Sequence, residues 1–284
     1  MRLFLANDTA TGRHAGCNAV MRSLNAALAA VPGLQVIGRH TVGSESLDEA
    51  AFLEADALLI NGEGTLHHST ARAMLLLAML DEAKRMGKRV LLVNALFQQY
   101  EGPEDILANL ALLTVREPRS AAFARRFGGR PLVLLDSAAD PAFLGLGTPR
   151  PLRHGTVIGG AHANGLLKSP FAGIAGDTLA MTDARFEDIV ATLRQAELYL
   201  TAQHHGVYAA ALAGCPFIAT PSNSHKIESF INWTGLPIPI CLRQDEIESA
   251  MAFARRNPSI YVELQDFLRS QSVLTAAMIA EALR

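Results

Sequence analysis

The sequence predicts an α/β protein of two Rossmann-like domains that face a central cleft. The chain has 284 residues, more than one hydrophobic core usually accommodates, so two domains of roughly 140 residues are expected. Hydrophobic residues make up 50% of it and charged residues 18%, as in globular proteins. Short apolar runs alternate with amphipathic stretches, a pattern typical of βαβ units around a mostly parallel sheet.

Six short apolar runs in the first half are interpreted as strands. Runs such as Leu91-Leu92-Val93 are apolar at consecutive positions, as in parallel strands that are covered on both faces. The predicted strands cover residues 3–6, 34–38, 57–60, 89–93, 112–115 and 132–135.

A segment between Asp136 and Arg153 interrupts this pattern. Its prolines and glycines break helices and central strands; they are Pro141, Gly145, Gly147, Pro149 and Pro151. We therefore predict an N-terminal domain at 1–145 and a C-terminal domain at 146–284. The alternation then resumes, with predicted strands at 156–159, 198–201 and 217–220 and helices at 185–195 and 206–213. A helical stripe in the last stretch, residues 259–284, is expected to pack across the junction.

Charge and cysteine content exclude several classes of function. The net charge is −2 and the pI is near 6.5, so no bulk field attracts nucleic acid, and an anionic ligand must be held by a few placed cations. The three cysteines, Cys17, Cys215 and Cys241, lack C-x-x-C spacing, which favours a reducing compartment over a disulfide framework or a zinc site. We expect no metal and no cofactor.

The hydropathy of the chain predicts a cytoplasmic protein. The N-terminus reaches polar residues too soon for a signal peptide, and the longest apolar stretch, near Met74 to Leu80, is shorter than a membrane span. Contact with the inner face of a membrane through a partner stays open, and so does the oligomeric state.

The first candidate site is the run Asn61-Gly62-Glu63-Gly64-Thr65-Leu66-His67-His68, between a predicted strand and a helix. Glycines at such a turn let backbone N–H groups approach an anion, and a helix N-terminus adds partial positive charge. The alternative is a tight turn whose glycines only supply positive φ.

The N-terminal loop, residues 7–17, is a candidate for binding the acceptor through Asn7. It contains Gly12 and Gly16 but no G-x-G-x-x-G pattern, which argues against a dinucleotide. The chain also lacks H-E-x-x-H, G-x-S-x-G and Walker motifs, so metalloprotease, esterase and P-loop functions are not predicted.

Two further candidates follow strands of the second half. The run Thr201-Ala202-Gln203-His204-His205-Gly206 places imidazoles at a helix start, where a histidine can act as a general acid near neutral pH; capping or packing is the alternative. The run Ser222-Asn223-Ser224-His225-Lys226 places cations in a first helical turn. Because the helix dipole opposes cations there, a bound phosphate or carboxylate is expected nearby.

Arg116, in Thr114-Val115-Arg116-Glu117-Pro118, is the fourth candidate. Its guanidinium can pair bidentately with a carboxylate or phosphate. An ion pair with Glu117, or a role in bracing the domains, is an equal alternative.

In order along the chain, N-G-E-G-T-L-H at 61–67, V-R-E-P-R-S at 115–120, T-A-Q-H-H-G at 201–206 and S-N-S-H-K-I-E at 222–228 resemble the signature blocks of the polysaccharide pyruvyl transferase family. The resemblance spans about residues 1–235. It implies a glycosyltransferase-B-like pair of Rossmann domains, phosphoenolpyruvate as the donor, and a hydroxyl of a saccharide or lipid-linked oligosaccharide as the acceptor.

The resemblance also implies roles for individual residues. His205 falls on the family's catalytic histidine, whereas Gln203 stands where the family has an arginine that is expected to bind the donor's negative charge. Arg116 or Lys226 compensates for this arginine, or the donor differs.

The sequence-based hypothesis is pyruvyl transfer in cell-surface polysaccharide or glycolipid synthesis. His205 and Glu63 are the predicted catalytic residues. The predicted donor-binding residues are Arg116, Gln203, His204, Asn223, His225 and Lys226, and acceptor or backbone-anion contacts are expected at Asn7, Gly62, Gly64 and Thr65. The alternatives are a glycosyltransferase that uses a nucleotide-activated sugar in the same cleft and a non-catalytic saccharide-binding protein.

Overall fold

A computed structural model describes residues 1–10, 12–44, 46–139, 151–160 and 165–284. The chain divides into two compact units. The first contains Met1–Gly12, Val20–Ser137 and Val273–Arg284, and the second contains Arg13–Ala19 and Ala138–Ser272. The predicted boundary between residues 145 and 146 lies outside the described residues. A single boundary would place Arg13–Ala19 in the first unit and Val273–Arg284 in the second, whereas each of these segments groups with the other unit.

The first unit is built on a six-stranded sheet. Its strands are β1 (Arg2–Asp8), β2 (Gln35–Thr41), β3 (Ala57–Asn61), β4 (Arg89–Ala95), β5 (Leu112–Val115) and β6 (Leu132–Val133). Their order is β2-β1-β3-β4-β5-β6, and every pairing is parallel. All six predicted strands of the first half are confirmed.

Both faces of this sheet are covered. Successive side chains of a strand point to opposite faces, so Leu58 and Ile60 join one apolar cluster while Leu59 joins the other. All five residues of β3 are buried, which explains why this run is apolar at consecutive positions. Full burial of each such Leu or Ile contributes about 1.5–3 kcal/mol.

The helices of the first unit begin at recognisable caps. They are α1 (Ala15–Ala29), whose first turn is grouped with the second unit, α2 (Glu49–Glu54), α3 (Ala71–Arg85) and α4 (Pro118–Arg126). Side chains of Asp48, Thr70 and Glu117 accept hydrogen bonds from the first-turn N–H groups of α2, α3 and α4, and Pro118 occupies the first position of α4.

The second unit has a four-stranded parallel sheet. Its strands, β7 (His154–Gly159), β8 (Asp177–Leu179), β9 (Ala196–Thr201) and β10 (Phe217–Ala219), lie in the order β10-β9-β7-β8. Its helices are α5 (Phe186–Leu193), α6 (His204–Ala213), α7 (Lys226–Thr234), α8 (Ile247–Arg256) and α9 (Ser259–Ser270). The three predicted strands correspond to β7, β9 and β10, whereas the three-residue β8 was not predicted.

The C-terminal stretch forms two helices instead of one. The predicted stripe buries Tyr261, Leu264 and Leu268 of α9 in the second unit. A second helix, α10 (Ala276–Ala282), belongs to the first unit, where Ile279 joins the apolar cluster around Leu59. Among the described residues, no helix is long and apolar enough to cross a membrane.

Candidate functional site

The glycine turn, residues 61–65, follows β3 in the first unit. A Cβ atom at Gly62 would lie 2.7 Å from the Cα of Ala95, so only glycine lets the turn approach β4 this closely. The N–H group of Gly62 donates to the Val93 carbonyl (2.8 Å) and that of Thr65 to the Gly62 carbonyl (3.0 Å). Both N–H groups thus have partners within the unit, which argues against a backbone contact of Gly62 or Thr65 with an anion. Acceptor binding at these residues stays a prediction.

A polar network surrounds the glycine turn at the carboxyl ends of β1 and β3. The Asn7 amide donates to the Asn61 carbonyl (2.6 Å) and to the Thr65 hydroxyl (3.0 Å). The Glu63 carboxylate accepts from the Thr9 hydroxyl (2.7 Å) and from the Asn61 amide (3.3 Å). The structure therefore brings together the predicted residues Asn7, Glu63 and Thr65. We call this set of five residues the polar network.

Left-handed backbone conformations gather at the same sheet edge. Asn7, Glu63 and Asn94 have φ of 61°, 32° and 55°, and they lie at or just after the ends of β1, β3 and β4, three neighbouring strands. Non-glycine residues in this region carry strain that surrounding contacts must offset, and such residues cluster at functional sites. This edge is therefore a candidate part of a ligand site.

Arg116 lies at the carboxyl end of β5, where its side chain is 2% exposed. Its Nη1 donates to Asp136 Oδ2 at 2.8 Å, and the Asp136 side chain is 0% exposed. Glu117, the ion-pair partner considered from sequence, instead caps α4. This geometry favours a structural role for Arg116, because its guanidinium is buried in an ion pair within the first unit. Its predicted donor-binding role stays a prediction.

In the second unit, α6 begins directly after β9. Gln203 is its N-cap residue, and no side-chain hydrogen bond caps the helix. A Cβ at Gly206 would lie 2.5 Å from Thr201 Oγ1, so glycine at this position lets the helix start pack against the strand end. The Gln203 amide lies over Gly160, where a Cβ would be 2.7 Å from its Nε2.

His204 and His205 are both buried, with 4% and 7% exposure. The ring of His204 packs edge-on against Tyr208, with centroids 4.9 Å apart, which matches the packing alternative better than donor binding. His205 packs against the backbone of Gly16, where a Cβ would lie 2.1 Å from its Cγ. The start of α6 therefore directs the two rings to different neighbours, as expected for adjacent helical residues.

The start of α7 holds the predicted cation. Lys226 is the first residue of the helix and His225 is its N-cap. The Lys226 ammonium donates to Asn223 Oδ1 at 2.6 Å, and the Ser222 hydroxyl donates to the same oxygen at 3.3 Å. Because β9 and β10 are parallel neighbours, the starts of α6 and α7 lie at the same sheet edge. We call residues 203–206 together with 222–226 the helix-start cluster.

Tyr199, on β9 near this cluster, is not suited to acid–base chemistry. Burial raises the pKa of Tyr199 to about 12. The phenol therefore stays protonated at neutral pH, which leaves the imidazoles and the ammonium as the chemically active groups at this edge.

Sequence reasoning missed two residues that contact the cluster. His14 and Cys17 belong to the second unit, and the His14 ring lies 5.4 Å from the His205 ring between centroids. No local spacing connects residues 14–17 with residue 205, so only the fold brings them together. The polar network and the helix-start cluster each form within one unit, and their meeting across a cleft stays a prediction.

Solved structures match nearly the whole chain, although their sequence identity to it is low. No protein-family model matches it, and no curated protein is detectably similar in sequence. The spinosyn rhamnosyltransferase SpnG, complexed with thymidine diphosphate, aligns with a TM-score of 0.55 and 13% identity over 98% of this chain and 99% of that chain.

Two further solved structures match in the same way. UDP-GlcNAc 2-epimerase from Methanocaldococcus jannaschii, complexed with UDP-GlcNAc and UDP, gives a TM-score of 0.54 and 10% identity over 95% of this chain and 99% of that chain. Arabidopsis thaliana UGT89C1, complexed with UDP-L-rhamnose, gives a TM-score of 0.53 and 11% identity over 94% of this chain and 93% of that chain. The predicted fold class is confirmed: the chain has the two Rossmann-like α/β units of the glycosyltransferase-B fold.

Proposed function

We propose that the chain is a glycosyltransferase that binds the diphosphate of a nucleotide-activated sugar at the helix-start cluster. The acceptor is a hydroxyl of a saccharide or of a lipid-linked oligosaccharide. Its oxygen attacks the anomeric carbon of the donor, the bond from that carbon to the phosphate oxygen breaks, and the nucleoside diphosphate leaves with the negative charge. The hydroxyl proton passes to a base, for which Glu63 is the predicted residue.

The observation that carries this proposal is the convergence of positive electrostatics at one sheet edge. Two helix N-termini, those of α6 and α7, begin at the carboxyl ends of neighbouring strands. Each N-terminus presents N–H groups and partial positive charge. Lys226 adds a full charge at the start of α7. In open α/β sheets, ligands bind at the carboxyl ends of the strands.

Gln203 favours a nucleotide over a smaller anionic donor. Its Oε1 is buried without a hydrogen-bond partner among the described residues, and an amide oxygen accepts hydrogen bonds but does not neutralise charge. A ribose hydroxyl or a base N–H group would satisfy this oxygen. A phosphate oxygen would not, because it is itself an acceptor.

The fold comparison supports the same class of donor. The rhamnosyltransferase, the epimerase and the plant protein named above are complexed with thymidine diphosphate, with UDP-GlcNAc and UDP, and with UDP-L-rhamnose. We transfer only the class of ligand to this chain, and the contacts that support it are those of its own residues.

Pyruvyl transfer from phosphoenolpyruvate is the second candidate, and the four ordered sequence blocks favour it. In that reaction His205 protonates the methylene carbon of the donor, and one sugar hydroxyl attacks the resulting cationic carbon and loses its proton. Phosphate then leaves, and a second hydroxyl of the same sugar attacks this carbon and loses its proton, which completes the ketal. Gln203, in place of the family's arginine, weakens this candidate because it supplies no charge for the donor.

A thermal-shift panel on the full chain tests the proposal. A ligand that binds only the native state stabilises it by about 2.7 kcal/mol when present at 100 times its Kd. We expect stabilisation by UDP, dTDP or GDP and their sugars, and none by phosphoenolpyruvate. Stabilisation by phosphoenolpyruvate alone would establish the second candidate, and stabilisation by oligosaccharides alone would support the non-catalytic alternative.

Substitution of Gln203, which stands where the resembled family has an arginine, tests which donor binds. Gln203→Arg restores the cation of the resembled family. We expect it to weaken nucleotide binding and to create measurable binding of phosphoenolpyruvate in isothermal titration calorimetry. If wild-type protein already binds phosphoenolpyruvate and the substitution changes neither affinity, Gln203 does not select the donor.

A further inference from the structure

We propose that His14, Cys17 and His205 bind a Zn²⁺ ion in the second unit. One potential ligand atom from each of these side chains lies within 4.8 Å of the other two. This is the only such group of three histidine, cysteine or acidic side chains found in the described parts of the chain. The site goes beyond the proposed function, which does not require a metal.

The spacing of the donor atoms is close to that of a zinc site. Tetrahedral Zn²⁺ has bonds of about 2.0–2.1 Å to histidine nitrogen and about 2.3 Å to cysteine sulfur, so its ligand atoms lie about 3.3–3.7 Å apart. Atoms already within 4.8 Å of one another reach that spacing through small side-chain rotations, without rearrangement of the backbone.

The backbone around His14 is fixed from both sides. The Ala15 N–H group donates to the Met181 carbonyl (2.7 Å), and the Asp183 N–H group donates to the Arg13 carbonyl (3.0 Å). An ion pair between the side chains of Arg13 and Asp183 adds to these contacts. The segment that carries two of the three ligands is therefore held in place before any metal binds.

Gly16 determines how closely the third ligand approaches. A Cβ at this position would lie 2.1–2.4 Å from the Cγ, Nδ1 and Cβ atoms of His205. Any larger residue at position 16 would therefore force the imidazole of His205 out of its present position. The small residue is therefore needed for the cluster to form, and it is not needed for a left-handed turn, because Gly16 has no positive φ.

The donor set has the chemistry that Zn²⁺ prefers. Two imidazoles and one thiolate form a borderline-soft set, and three protein ligands leave the fourth position for water or a ligand oxygen. Cys17 lies in the first turn of α1, and Zn²⁺ binds a cysteine as its thiolate. The thiolate charge offsets the repulsion between the same helix terminus and the cation.

One existing hydrogen bond and one predicted role compete with the metal. The Gly16 N–H group donates to His14 Nδ1 at 3.2 Å, a long hydrogen bond that metal binding would replace. A metal-bound nitrogen of His205 cannot deliver a proton, so Zn²⁺ binding and general-acid catalysis at that nitrogen exclude each other. This exclusion separates the metal site from the pyruvyl transfer mechanism.

Titration of the reduced full-length chain with Co²⁺, a spectroscopic substitute for Zn²⁺, tests the site. We expect one Co²⁺ per chain and a near-ultraviolet charge-transfer band, which only a thiolate ligand produces. Added Zn²⁺ should displace Co²⁺ and remove the band. Absence of the band in wild-type protein overturns the proposal.

Matched variants assign the band to its ligands. Cys17→Ala should abolish it and lower Zn²⁺ affinity by more than the roughly 10–100-fold that follows loss of an outer partner, while Cys241→Ala should leave both unchanged. His68→Ala is the control for the adjacent pair His67 and His68, whose rings lie 4.7 Å apart in the first unit. Loss of metal binding in His68→Ala, with retention in Cys17→Ala, would overturn the proposal.

Circular dichroism and nucleotide titrations separate this site from the proposed function. Cys17 is only half-buried, so Cys17→Ala is expected to fold. If Cys17→Ala loses Zn²⁺ and retains nucleotide binding, the metal site is confirmed and nucleotide binding does not depend on the metal. If wild-type protein binds Zn²⁺ but no nucleotide, the metal site stands and the proposed function fails.

Discussion

The polar network of the first unit and the helix-start cluster of the second unit lie at equivalent places in their sheets but differ in chemistry. In the polar network, amide, hydroxyl and carboxylate groups bind one another, as in the contact of Thr9 with Glu63. The helix-start cluster instead collects imidazoles and an ammonium group at two helix N-termini.

The two sets therefore differ in the kind of ligand that they suit. A network of acceptors and neutral donors suits the hydroxyl groups of a saccharide, whereas positive charge at helix starts suits a phosphate-bearing donor. Loss of a residue that acts within its own unit should therefore change stability, and loss of a residue that acts on a ligand should change affinity.

The largest effect is expected for Arg116, a residue that acts within its own unit. Arg116→Met leaves the buried Asp136 carboxylate without its guanidinium partner at 2.8 Å, and breaking a buried ion pair in this way costs about 3–5 kcal/mol. Urea unfolding should show this loss. Nucleotide affinity of the protein that remains folded should be unchanged.

The double variant Arg116→Met with Asp136→Asn is the control. Removal of both charges eliminates the uncompensated carboxylate, so most of the lost stability should return. A loss of nucleotide affinity in Arg116→Met, without a loss of stability, would support the donor-binding role that was predicted from sequence.

Substitution of Lys226 should instead lower the affinity for the nucleotide. Lys226→Gln retains a polar side chain beside Asn223 but removes the charge, and a hydrogen bond to a charged group is worth about 1.5–3 kcal/mol. The Kd for a nucleoside diphosphate should therefore rise about 10–100-fold in isothermal titration calorimetry. Lys168→Gln, at an exposed position of the same unit, should leave the Kd unchanged.

An equal loss of affinity in Lys168→Gln would indicate that the whole charge of the unit attracts the nucleotide. Unchanged affinity in both variants would remove the ammonium from the donor site. In either case the positive electrostatics of the helix-start cluster would no longer explain how this unit differs from the first.

The sequence predicted the strands well because burial on both faces leaves a direct signal. Short runs of consecutive apolar residues, as in β3, are typical of parallel strands that are buried on both faces of the sheet. The sequence pattern did not indicate that Arg13–Ala19 and Val273–Arg284 group apart from their sequence neighbours, because such a grouping depends on contacts with residues far along the chain. The polar residues Gln271 and Ser272, which follow α9, are a weak signal for the break in the C-terminal stretch.

The candidate site was predicted only where its residues follow strands. Asn7 lies at the carboxyl end of β1, and Glu63 and Thr65 lie in the loop directly after β3. Parallel strands place their carboxyl ends at one edge of the sheet. Arg116 has the same kind of position, yet its partner Asp136 is distant in sequence, so the ion pair could not be inferred. The proximity of His14 and Cys17 to His205 was missed for the same reason.

The smallest effect concerns the backbone of Asn7 in the polar network. Its φ of 61° is accessible to glycine without strain but costs most other residues about 1–2 kcal/mol. Asn7→Ala and Asn7→Gly both lose the hydrogen bonds to Asn61 and Thr65. The difference between the two variants therefore reports the backbone strain, less about 0.4–1 kcal/mol for the greater unfolded-state entropy of glycine. In urea unfolding, Asn7→Gly should be more stable than Asn7→Ala by about 1 kcal/mol. Equal stabilities would mean that the left-handed conformation is not maintained in solution, and the polar network would then lose the strain that marks it as part of a ligand site.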